Sequence, residues 1–107
     1  MLPKKNRAST KEVDLIFKKG VSLGSVSLSF RYLNNNNKET KISFIAPKNI
    51  AKLAVERNLL RRRGYNALEK YIGMFPAGIT GVFVFKKYQD DVLKIRNEIK
   101  DILGKIN

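Results

Sequence analysis

The chain has 107 residues, 22 Lys and Arg against 9 Asp and Glu, a net charge of +13, and 43% hydrophobic residues. That suits one folded domain, and its self-repulsion is best relieved by a polyanionic partner: nucleic acid first, an anionic membrane surface second. With no Cys and no His, disulfide frames, zinc sites and histidine-assisted nucleophilic catalysis lose their usual parts.

The opening segment MLPKKNRAST is charged and lacks an apolar core, so it does not read as a signal peptide. In 10-TKEVDLIFKKG-20 a Ser/Thr cap precedes Val13, Ile16 and Phe17 at helical spacing, and Gly20 stops the helix. The segment 26-VSLSFRYL-33 alternates, with Val26, Leu28, Phe30 and Tyr32 on one face and Ser27, Ser29 and Arg31 on the other, a half-buried strand. Residues 21–26 admit a further strand. Asn34 to Asn37 form a turn, and Lys38 to Ala46 form a strand with Ile42, Phe44 and Ala46 in phase.

Pro47 ends that strand. A helix is expected from about Ile50 or Val55 to Ile72, a loop from Gly73 to Gly81, and an apolar central strand over Val82 to Phe85. The longest uncharged run, Tyr71 to Phe85, is too short and too broken by Pro76 and glycines to span a membrane. Asp90 and Asp91 open the last helix, which runs to Leu103 with Val92, Leu93, Ile95, Ile99, Ile102 and Leu103 on its apolar side. The order is αββαβα with room for one more strand: an α+β fold, helices on a small sheet, in a single domain over 1–107.

One stretch stands out. In 56-ERNLLRRRGYNAL-68, four arginines and an asparagine fall between Arg57 and Arg63, with Glu56 as the one acid. On a helix, Leu60, Gly64, Ala67, Leu68 and Tyr71 form a stripe that packs on the sheet, Gly64 permitting a close approach. Arg57, Arg61 and Tyr65 form the adjacent stripe, flanked by Asn58 and Arg62, while Arg63 projects from the opposite flank. Arg supplies paired charge-assisted bonds to phosphates, Asn bonds to base edges, and Tyr a stacking surface. A solubilising basic face, a nuclear-targeting-like cluster, or a core role for Arg57 are the plainer readings of the same residues.

These residues carry a resemblance to the protein subunit of bacterial ribonuclease P. That family's signature, Ala-Val-x-Arg-Asn-x-x-(Lys/Arg)-Arg on a helix, is matched by 54-AVERNLLRR-62. The opening 1-MLPKKNR-7, the segment 15-LIFKKG-20 and 81-GVFVFKK-87 are similar to its start, first helix and last strand. The resemblance implies a two-layer α+β sandwich, a small mixed sheet packed with helices, with a left-handed βαβ crossover like that of ribosomal protein S5 domain 2. It implies a cytoplasmic subunit, with no membrane and no obligate protein partner, whose partners are the catalytic RNA and precursor tRNA.

Cleavage that releases the 5′ leader would then belong to the RNA and its Mg²⁺, and the protein itself would hold no cofactor and no metal. Carried over position by position, Lys48, Lys52, Arg57, Asn58, Arg61, Arg62 and Tyr65 are RNA-binding, and Phe17, Arg31 and Tyr32 line the leader cleft. The chain departs from the family at Pro47-Lys48-Asn49, where Ser-Lys-Lys is usual, in a loop one residue longer. It departs again at Val13, where an aromatic is expected. The runner-up function is a ribosomal or general structured-RNA-binding protein with no part in cleavage; a nuclease acting alone would need a metal cluster or general base that the sequence lacks.

Overall fold

The structure, a computed structural model, describes residues 10–34 and 39–106. The basic opening segment and all but the first residue of the Asn34–Asn37 turn lie outside the described residues. In chain order the elements are α1 (Thr10–Lys19), β1 (Val21–Gly24), β2 (Leu28–Asn34), β3 (Lys41–Ile45), α2 (Ala54–Glu69), a 3₁₀ turn (Ile72–Met74), β4 (Ile79–Phe85) and α3 (Val92–Ile106). The additional strand is therefore real, and it is β1.

The sheet runs β1-β2-β4-β3, with β1/β2 and β2/β4 antiparallel and β3/β4 parallel. The parallel pair makes β3-α2-β4 the βαβ crossover that presents the arginine-rich helix. Leu28, Phe30, Ile42, Phe44, Phe83 and Phe85 fill one face of the sheet and join Leu60, Leu68, Ile95, Ile99 and Ile102 in a single core. Three rings hold its centre: Phe83 lies 4.4 Å from Phe30 and 4.9 Å from Phe44 between centroids, spacings favourable for aromatic pairs. The α2 and α3 helices thus form the second layer of the sandwich.

Because strand side chains alternate, the opposite face carries Ser29 and Arg31, Ser43 and Ile45, and Val82 and Val84. The α1 helix lies over β2 and β4. Ile16 and Val82 are fully buried yet lie outside the main core, which places α1 on this second face. Glu12 pairs with Lys41 at 3.6 Å and ties the start of α1 to β3.

Several boundaries differ from the sequence reading. Val26 belongs to no strand; β2 begins at Leu28, and Val26 stands 73% exposed on a bend. Its alternation with Leu28 is real, but the bend turns it out of the sheet. β4 begins at Ile79, not Val82, so Gly81 pairs within the strand; the Phe30 ring fills the space that a side chain there would need. The last helix starts at Val92 after Asp91, whose carboxylate accepts the Leu93 N–H at 2.9 Å as an N-cap, and it extends to Ile106. Leu93 is not on the apolar side: it is 63% exposed, one step beyond the stripe of Ile95, Ile99 and Ile102.

Candidate nucleic-acid interface

The arginine helix is set by its own caps. Glu56 accepts the backbone N–H of Leu53 at 3.3 Å, so the one acid in the basic run closes the first turn and favours the helix's positive end. Leu60, Gly64, Ala67, Leu68 and Tyr71 are all buried, the stripe the sequence spacing requires.

Arg57 is half-buried, and one guanidinium nitrogen donates to the carbonyls of Ala51 (3.0 Å) and Lys52 (2.8 Å). It braces the loop that leads into α2. The same loop is tightened by the N–H groups of Ile50 and Ala51, both donating to the Pro47 carbonyl. Lys48 and Lys52 are exposed on this braced turn.

Arg61 donates to the Asn58 side-chain carbonyl, so the amide and the guanidinium act as one unit on the helix surface. Asn58 and Arg62 are exposed, and Arg61 is half-buried. Two aliphatic residues share this surface, Val55 at 61% and Leu59 at 41% exposure.

Tyr65 departs from its expected role. It is 5% exposed, its ring meets Phe44 edge-on at 5.2 Å, and its hydroxyl accepts the Phe44 N–H at 3.2 Å. The helix wheel put Tyr65 beside Arg61, but the free edge of β3 reaches that far around α2. The hydroxyl occupies an edge hydrogen-bonding position, which also blunts a strand edge open to pairing. Tyr65 is therefore a core residue and offers no ring to a base.

On the other face, Phe17 is 41% exposed on α1. The Arg31 guanidinium lies over its ring, 5.4 Å from the centroid, and donates to the Phe17 carbonyl at 3.3 Å. The two expected cleft residues thus meet as a stacked cation–π pair. Tyr32 does not join them. It stacks on Phe30 at 5.5 Å and packs against the main core, because adjacent strand residues point to opposite faces.

Beside the Phe17–Arg31 pair, one cross-strand row remains partly open: Ser29, Val84 and Ile45 are aligned partners and half-buried. A shallow apolar floor with a cationic aromatic wall results. It ends at Ile45, where the chain enters the Lys48–Lys52 turn and continues into α2. Sequence reasoning missed Val84 and Ile45, which look like core residues in apolar runs; the strand pairing aligns them in one row, and their partial exposure leaves that row open.

Among the described residues there is no cluster of His, Cys, Asp or Glu able to hold a metal ion, and no helix long and apolar enough to cross a membrane. The Ribonuclease P family model matches residues 2–107. The fold is similar to that of Staphylococcus aureus RNase P protein, with a TM-score of 0.81 at 17% identity over 98% of this chain and 97% of that one. It is equally similar to RNase P protein from Thermotoga maritima, with a TM-score of 0.82 at 21% identity over 94% and 97% of the two chains. A Staphylococcus aureus RNase P protein mutant with defective mRNA degradation activity superposes with a TM-score of 0.83 at 19% identity, over 96% and 89%. No sequence among the curated proteins matches the chain.

Proposed function

Since the chain belongs to the ribonuclease P protein family and is the protein subunit of that tRNA-processing ribonucleoprotein, we propose that its two basic surfaces divide the work of the holoenzyme. The α2 surface, Asn58, Arg61 and Arg62 with Lys48 and Lys52 on the preceding turn, docks on the catalytic RNA. The Phe17–Arg31 pair and the row Ser29–Val84–Ile45 receive the single-stranded 5′ leader of precursor tRNA. Arg57 supports the docking surface by bracing its loop.

The observation that carries this reading is the open row beside the Phe17–Arg31 pair. Stacking against an aromatic ring and an arginine plane suits unpaired bases of any sequence. Contacts through guanidinium and amide groups on α2 suit a structured phosphate surface. Bond cleavage falls to the RNA and its Mg²⁺, and the protein contributes positive charge and substrate grip. Reconstitution tests it: a bacterial ribonuclease P RNA should process precursor tRNA at low Mg²⁺ only when this chain is added. Equal processing with and without the chain would refute the proposal.

A further inference from the structure

Arg63 is the one arginine of the α2 run that turns away from both surfaces described above. Its guanidinium lies over the Tyr88 ring at 5.6 Å from the centroid, and it donates to the Gln89 carbonyl at 3.3 Å. Tyr88 remains 45% exposed although it lies in the loop between β4 and α3. Its ring is therefore held in place by a cation while nearly half its surface faces solvent.

The next residue, Gln89, lines an open cavity of about 320 Å³ together with Val26, Lys94, Asn97 and Glu98. That volume is at the small end for ligand sites. One wall is held by hydrogen bonds. Glu98 is 8% exposed and accepts the Ser27 N–H at 2.6 Å and the Ser27 hydroxyl, which pins the Val26–Ser27 bend to α3. The Lys86 N–H donates to the Ser27 carbonyl at 2.8 Å and fixes the loop from the other side.

The groups facing the cavity are chemically complementary to a nucleotide. Among the described residues, the Asn97 amide and the Lys94 ammonium have no partner, and the Gln89 side-chain oxygen caps the Asp91 N–H at 3.1 Å, leaving its NH₂ to donate. Val26, 73% exposed, supplies an apolar wall. The Glu98 carboxylate disfavours a phosphate inside the cavity, so the base enters, and Lys94 meets the backbone.

We infer that the Arg63–Tyr88 pair and the adjoining cavity form a binding site for one unpaired nucleotide of the ribonuclease P RNA, separate from the α2 surface and the α1 cleft. The inference rests on the reading that this chain docks on that RNA. The base stacks on Tyr88, the amides of Asn97 and Gln89 bond its edge, and Arg63 links the site to the arginine helix.

The test is equilibrium binding of the full chain to ribonuclease P RNA across a salt series, with Tyr88→Ala, Tyr88→Phe and Asn97→Ala. Tyr88→Ala should weaken binding about tenfold while Tyr88→Phe stays within about twofold of wild type, because stacking needs the ring and not the hydroxyl. The salt slope should match wild type in all three, since no phosphate contact is lost. Asn97→Ala, a surface change that spares the fold, should weaken binding severalfold. If wild type binds tightly and both alanine variants bind equally well, or Tyr88→Phe is as weak as Tyr88→Ala, the nucleotide site is overturned while docking stands. If wild type fails to bind the RNA at any salt, the docking reading falls and the inference with it.

Discussion

Gly64 sits against the Phe44 ring with no room for a methyl group: a Cβ there would fall 2.5 Å from the ring carbon Cδ1. This contact sets how closely α2 approaches β3, and hence where the arginine surface stands relative to the sheet. Gly64→Leu should cost roughly 1 to 3 kcal/mol by overpacking. Gly64→Ala should also destabilise, because the aromatic ring is buried and cannot swing aside, even though alanine improves helix propensity by about 1 kcal/mol. Thermal melting of the two variants checks this; a rise in midpoint for Gly64→Ala would show that the ring yields.

The main stripe of α2 was legible in the sequence because Leu60, Gly64, Ala67 and Leu68 repeat at helical spacing, and the burial of each agrees. The neighbouring stripe was legible only in part. Tyr65 shares a helical face with Arg61, and nothing local reveals that the edge of β3 covers one and not the other. The alternation of the strand put Tyr32 on the face of Leu28 and Phe30, where it lies; only the resemblance assigned it to the cleft with Arg31, and adjacent strand residues point to opposite faces. The Arg63–Tyr88 pair joins residues 25 apart through tertiary packing, which no periodicity encodes. Nor could any pattern show that Arg57 spends its charge on the Ala51 and Lys52 carbonyls.

That bracing role separates Arg57 from its neighbours. Arg57→Ala should lower stability by about 1 to 2 kcal/mol, since two carbonyls lose a charged donor, whereas Arg62→Ala should leave the melting midpoint unchanged. Arg57→Lys should restore part of the loss, because both carbonyls accept from one nitrogen and an ammonium also carries several N–H donors. Equal midpoints for Arg57→Ala and Arg62→Ala would remove the brace.

Glu98 makes a prediction of its own. Glu98→Ala leaves the Ser27 N–H buried without an acceptor, at a cost of roughly 1 to 3 kcal/mol. Glu98→Gln keeps an acceptor and should recover much of it. Denaturant unfolding of both variants decides the matter; identical losses would mean that the charge, rather than the hydrogen bond to Ser27, holds the bend.

Binding to the catalytic RNA should depend steeply on salt, with log affinity falling linearly in log salt by about 0.7 to 0.9 per phosphate contact. Arg62→Ala, exposed and outside every brace, should reduce that slope by about one contact. A flat titration of the wild-type protein would contradict polyanion docking altogether.

The division of labour between the two faces is tested most directly by leader length. With saturating ribonuclease P RNA carrying wild type, Phe17→Ala or the double variant Arg61→Ala/Arg62→Ala, affinity is measured for two precursor tRNAs, one with a leader of several nucleotides and one with a single nucleotide. Phe17→Ala should weaken capture of the long-leader precursor by about 1 to 3 kcal/mol, the worth of one stacked base, and leave the short one nearly unchanged. The arginine variant should need more protein to assemble and, once assembled, hold both precursors as wild type does. Equal weakening of both precursors by Phe17→Ala, or a loss confined to the long-leader precursor in the arginine variant, would contradict the account.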